Sequence, residues 1–216
     1  MRKTLFLLLS IVAMQLYAQR FSFIPKVGYN AARISGLSED AGVRHGINAG
    51  LSVEYRFSPY FAMEAGGYYS MQGSTVTYEL GEELIRLDLE VENNYINIPV
   101  LAKGYLYKGL YLYAGPQIGV RVNSNLNVHG KVSFLHMLEL ENSDDYDISS
   151  YLNNVDFSGV VGIGYQFDIG LLISANYNFG MNKLFNTNKV SFEGVDLIDL
   201  SNTRNKVFQV NIGWRF

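Results

Sequence analysis

Along most of the chain, large apolar residues alternate one for one with small or polar ones, the period-two signature of strands with two unlike faces. The cleanest instance is HGINAGLSVEYRF, where Ile47, Ala49, Leu51, Val53, Tyr55 and Phe57 alternate with Gly46, Asn48, Gly50, Ser52, Glu54 and Arg56. The same pattern predicts eight strands, at about 21–32, 45–57, 61–71, 95–106, 110–123, 155–167, 171–181 and 208–216. In the last, Phe208, Val210, Ile212, Trp214 and Phe216 oppose Gln209, Asn211, Gly213 and Arg215, so an aromatic strand runs to Phe216.

The connections alternate as strictly as the residues. SPY, YKG and DIG are tight turns, whereas 33–44, 73–94, 124–154 and 182–205 are long. Short turns at one end and long loops at the other predict an all-β fold: an eight-stranded antiparallel up-and-down transmembrane β-barrel with long extracellular loops. A soluble eight-stranded barrel would turn its apolar face inward. Here glycine, asparagine and charge occupy the face suited to a crowded interior, and aromatics gather in two belts. One belt flanks the short turns (Phe57, Phe61, Tyr105, Phe167, Trp214, Phe216) and one lies near the long loops (Tyr29, Tyr69, Phe157, Phe179, Phe208), as membrane interfaces require. The final strand is expected to pair with the first and so remove both sheet edges from lipid.

The first residues agree with this destination. MRKTLFLLLSIVAMQLYAQ carries Arg2 and Lys3, an apolar run to about Leu16 and a small residue at Ala18, the layout of a secretory signal peptide at 1–18 ahead of a barrel domain at 19–216. Its apolar run is shorter than the roughly 20 residues a spanning helix needs. Cysteine is absent, which excludes disulfides, thiolate metal sites and a lipidated cysteine anchor. The 20 acidic residues exceed the 17 basic ones, a balance that argues against a nucleic-acid partner.

Candidate chemistry falls in three places. The inward positions carry Lys26, Glu54, Arg56, Glu64, Lys103, Arg121, Asp156 and Arg215, read as a salt-bridged plug or as an ion path, with the plug favoured because buried charges must be paired. His45, His129 and His136 lie at the long-loop end, so a lipid-modifying enzyme is an alternative, and a narrow channel is another; the non-enzymatic reading is preferred because no base and nucleophile are paired by the pattern. NSDDYD (142–147) clusters carboxylates without the glycine and terminal glutamate of a calcium loop, ahead of a helical turn at DISSYLNN, and GVVGIG lies within a strand rather than in a phosphate loop. No motif calls for a cofactor or a metal.

The second long loop departs most from a plain wall. Beyond Gly73 the apolar positions change parity, to Val76, Tyr78 and Leu80, and the returning arm carries Ile85, Leu87, Leu89 and Val91 on positions that in the following strand are polar. A one-residue slip at Gly73 and near Asn93-Asn94 would exchange the faces. The expectation is a hairpin standing above the membrane, greasy over the barrel mouth and acidic outside (Glu79, Glu83, Asp88, Glu90), whose apolar face is packed under VSFLHMLEL (132–140) or docks a protein partner.

Three stretches, NYINIPVLAKGYL (94–106), GLYLYAGPQIG (109–119) and VDFSGVVGIGYQF (155–167), resemble the PorT-like, porin-family outer-membrane β-barrels of Bacteroidetes. The resemblance spans essentially the whole chain after the leader. It implies residence in the outer-membrane lipid bilayer, insertion by the outer-membrane assembly machinery and, through the named relative, support of a secretion complex. Single cysteines at Glu83, Asp145 and Asn188 are expected to react with an impermeant maleimide on intact cells, and one at Lys108 is not; labelling at Lys108 alone would invert the topology.

Overall fold

The computed structural model describes residues 20–36, 42–80, 85–134, 138–147, 153–182 and 203–216, and the side chains among them except those of 76–80, 85–89, 126–134 and 138–147. The leader at 1–18 and most of the DISSYLNN segment lie outside the described residues. Among the described residues nine strands follow one another: β1 (Phe21–Ser35), β2 (Gly42–Ser58), β3 (Phe61–Leu80), β4 (Ile85–Tyr107), β5 (Leu110–Phe134), β6 (Leu138–Asp147), β7 (Val155–Gln166), β8 (Leu171–Gly180) and β9 (Arg204–Trp214). All pairings are antiparallel, and the sheet order β4-β3-β2-β1-β9-β8-β7-β5 is closed by β4 pairing with β5. The wall is therefore a closed eight-stranded barrel, sealed between first and last strands by a register running from Lys26↔Gly213 to Ser35↔Arg204.

The ninth strand corrects the reading of 124–154 as an irregular loop. β5 runs on to Phe134, and β6 pairs beside it from Asn125↔Asp147 to Phe134↔Leu138, taking above Val120↔Val155 the place that β7 holds below. The alternation in NLNVHGKVSF belongs to this extension; the polar run around Asn123 marks a change of level and not the end of the strand.

The tight turns are built as their residues dictate. Lys108 and Gly109 both have positive φ, 42° and 90°, the arrangement of the primed turns that match strand twist. Ser58 Oγ accepts from the amides of Tyr60 at 3.3 Å and Phe61 at 3.1 Å. The ladder lapses at Ile98-Pro99 against Gly66-Gly67 and at Val100-Leu101 against Gly115-Pro116, since proline offers no N–H to a ladder.

The faces sort as expected. Phe57, Phe61, Phe167, Trp214 and Phe216 are exposed to the outside, as are Tyr29, Tyr69, Phe157, Phe179 and Phe208. Tyr105 is the exception: its odd position on β4 turns it inward, where it packs on the interior cluster of Ile24, Leu101, Tyr111, Tyr113, Val160 and Leu172. The interior is fitted by opposing rings to glycines, Tyr111 across from Gly164 and Tyr113 across from Gly162, where a Cβ would come within 2.4 Å of the tyrosine Cζ. Gly164→Val is expected to cost on the order of 1–3 kcal/mol through overpacking, read as a lower temperature for loss of the compact, heat-modifiable gel band; an unchanged temperature would show that the rings do not set the fit.

Candidate functional site

Six of the eight inward charges converge near the short-turn end. Glu54 and Glu64 are directly opposed across β2 and β3, an arrangement that repels unless a cation intervenes. Lys103, opposite Ala62 on β4, supplies it: its Nζ donates to Glu54 Oε2 at 2.6 Å and Glu64 Oε2 at 2.9 Å. These three side chains are almost wholly buried, at 0%, 2% and 1% exposure. Lys26 pairs with the other oxygen of Glu64. Arg56 Nη2 donates to Glu54 Oε1 at 3.1 Å while its guanidinium lies 4.0 Å from the Tyr105 ring centre, and the Tyr105 hydroxyl donates to Glu54 Oε2 at 2.9 Å. Arg215 stands further out, 3.6 Å from Glu54 and donating to Ser22 Oγ at 2.9 Å. Four cations thus surround two carboxylates, the two arginines being the ones that reach water at the rim.

Arg121 and Asp156 are not part of this cluster. They sit higher, with Arg121 opposite Tyr95 and Asp156 opposite Gly119, and both Arg121 Nη atoms and the Tyr95 hydroxyl are buried without a hydrogen-bond partner among the described residues. Between the two levels lies an amide layer that the sequence reading noted only as a polar face. Asn30 Oδ1 accepts from Asn48 at 2.6 Å and from Gln209 at 2.8 Å, Gln209 Oε1 accepts from Asn176 at 2.8 Å, and Asn176 Oδ1 accepts from Asn211 at 3.0 Å and Tyr113 at 3.1 Å. The signal was the recurrence of Asn and Gln at inward positions of β1, β2, β8 and β9. A cavity of about 40 Å³ lined by Lys26, Glu64, Tyr68, Asn176 and Asn211 lies under this layer, polar and roomy enough for ordered water.

At the long-loop end the slip expected at Gly73 and Asn93-Asn94 is not found in the hairpin itself. The β3–β4 register runs unbroken from Tyr69↔Ile96 through Met71↔Asn94 to Leu80↔Ile85. The irregularities fall on the flanking pairs, between Val43 and Asn48 against β3 and between Asn94 and Tyr95 against β5. Polarity inverts along a continuous strand, so the faces change chemistry without changing sides. Gly73, at φ 147°, has a different use: a Cβ there would meet Arg44 Cδ and the Val91 carbonyl. Arg44 crosses β3 at this point to bond Glu90 Oε1 at 2.7 Å and Glu92, which removes Glu90 from the free acidic face.

Of the docking-face residues, Val91 is buried, and the side chains of Val76, Tyr78, Leu80, Ile85, Leu87 and Leu89 lie outside the described residues. So do those of His129, His136 and the NSDDYD run; His45 is exposed on the outer wall, its ring joined to the Tyr29 hydroxyl. Lys103→Met is expected to leave two opposed buried carboxylates and to cost on the order of 3–5 kcal/mol, whereas Arg215→Met, at a partly exposed pair, should cost about 1 kcal/mol or less. Urea unfolding in detergent compares them, and equal losses would deny Lys103 its central place.

Comparisons with known proteins follow the same outline. The outer membrane protein beta-barrel domain family matches residues 15–186. Among solved structures, Ail, the attachment invasion locus protein of Yersinia pestis in complex with the heparin analogue sucrose octasulfate, is 14% identical over 91% of this chain and 99% of its own, with a TM-score of 0.44. Neisserial surface protein A is 12% identical over 90% and 97%, with a TM-score of 0.48. The N-terminal β-barrel domain of Pseudomonas aeruginosa OprF is 10% identical over 91% and 98%, with a TM-score of 0.40. No curated protein matches the chain.

Proposed function

The chain belongs to the outer membrane protein β-barrel domain family, and we propose that in the outer membrane it is a non-enzymatic, plugged barrel that works through its extracellular rim, docking a protein partner of a secretion or assembly complex. The observation that carries this is the rise of β3, β4, β5 and β6 as one paired sheet beyond the level at which the rest of the ring closes. Such an extension adds nothing to crossing the bilayer, which about 10 residues per tilted strand already achieve. The sheet is clamped at its base by Arg44 to Glu90 and Glu92, so it is held at a fixed angle to the barrel.

The interior favours this reading over a channel, because eight strands enclose room for side chains and little else, and the charged cluster and amide layer occupy it. The resemblance in 94–106, 109–119 and 155–167 supports placing the chain with the PorT-like barrels of Bacteroidetes, and the aromatic last strand is a fitting substrate for the assembly machinery.

The docking face is Val76, Tyr78, Leu80, Ile85, Leu87 and Leu89, with Val91 buried at its base. Replacing Leu87 and Leu89 together with serine removes apolar surface from it without touching a membrane-crossing segment. The double variant is expected to insert normally, to keep its protease resistance between Gly73 and Asn94, and to lose a stoichiometric companion recovered with the wild type from native membranes in mild detergent. Retention of that companion with new cleavage in the hairpin would instead mean that the face is packed within the protein.

A further inference from the structure

The outer wall carries a second feature, away from the hairpin and independent of it. On the outward faces of β8, β9, β1 and β2 the registers set residues in rows. Tyr177, Phe208, Ala31 and His45 form one row, and the next row toward the long loops holds Phe179, Lys206 and Arg33. One step further, Arg204 lies opposite Ser35. Lys206, Arg33 and Arg204 are all exposed, and they alternate with buried Val207, Asn205 and Ile34, so they point to the side of the wall that faces lipid and its head groups.

Arg33 and Lys206 are directly opposed in the register, and like charges so placed repel across a sheet. Among the described residues, Lys206 and Arg204 make no ion pair. Arg33 has an interaction of its own, so the exposed cations open to a ligand here are Lys206 and Arg204. Further round the ring, the outward positions Val122 on β5 and Val155 on β7 are apolar.

From these observations we infer that the β9–β1 face is a binding site for the phosphate of a phosphorylated glycolipid in the outer leaflet. Lys206 lies one row above aromatic Tyr177 and Phe208 and beside Phe179, and Arg204 one row higher, which is where a lipid keeps its acyl chains below and its phosphate above. The phosphate would stand between Lys206 and Arg204, taking from Arg204 the two-pronged contact that guanidinium makes with phosphate oxygens. The Tyr29 hydroxyl and the His45 ring, joined on the adjoining strands, border the site on its lipid side.

The test uses the complete barrel in phosphatidylcholine nanodiscs containing phosphorylated lipid A or its dephosphorylated form, followed by native mass spectrometry after transfer to detergent. Wild-type protein is expected to retain phosphorylated lipid A and not the dephosphorylated lipid. The double variant Lys206→Gln, Arg204→Gln should retain it roughly ten- to thirtyfold less well, in line with the loss of two cations near a charged surface. Lys108→Gln, at an exposed cation in a short turn, should behave as wild type. Normal heat-modifiable migration shows that each variant is folded. Equal retention by the double variant, equal retention of the dephosphorylated lipid, or displacement of lipid A by an equal concentration of inorganic phosphate would each overturn the proposal, the last by making the ligand a soluble phosphate.

Discussion

A strand edge in hydrocarbon has no water to satisfy its N–H and C=O groups, so the pairing of β1 with β9 is the contact on which everything else here depends. Once the ring is closed, every strand has two unlike environments at fixed parity. The outside must be apolar for its whole height. The inside is too narrow for bulk water and too polar for an oily core, and so its groups must satisfy one another. The layered interior follows from that requirement: tyrosines over glycines, a charged cluster centred on Lys103, and an amide layer in which the carbonyls of Asn30, Gln209 and Asn176 accept from neighbouring amides. Lys103 matters most within it, because the β2–β3 register itself forces Glu54 against Glu64 and among the described residues no other ammonium bonds both.

Much of this was legible in the sequence because parity is a local property. Alternation alone placed Lys26, Glu54, Arg56, Glu64, Lys103 and Arg215 on the inside, and short turns beside long loops fixed the order of the wall. Which inward charges meet was not legible, since Lys103 reaches Glu54 across 49 residues of sequence through a shear that alternation does not encode. Arg121 and Asp156 share the parity of the cluster but belong to another level. Tyr105 was misplaced in the aromatic belt because closeness to a turn was weighed above its odd position, which Lys103 two residues earlier already marked as inward.

The misreading of Gly73 has a more general cause. A change in which positions are apolar has two explanations, a slip of the strand or an inversion of what lies on either side of it. The sequence of one strand does not separate them; the register does, and between β3 and β4 it is continuous, the shifts falling on their outer partners. Inversion is what a strand undergoes when it leaves a membrane, since lipid outside and polar interior inside both end at the same height. The polar stretch around Asn123 has the same origin, which is why the continuation of β5 to Phe134 looked like a loop.

These features leave the long-loop rim asymmetric. On one arc β3 to β6 rise as a sheet clamped by Arg44; on the other, β9 and β1 carry cations at the height where the wall meets head groups. A closed barrel is free to rotate about its axis and to tilt in a fluid bilayer, and a ring of aromatics fixes its depth but not its tilt. On the proposed lipid contact, the exposed Lys206 and Arg204 restrict that freedom, because they gain most when their side of the wall sits level with anionic head groups. The raised sheet, on the far side of the ring, is then presented at a defined angle to the membrane plane. In the proposed function, lipid contact on one side and display on the other are parts of one arrangement, in which the bilayer holds the mount and the mount aims the sheet.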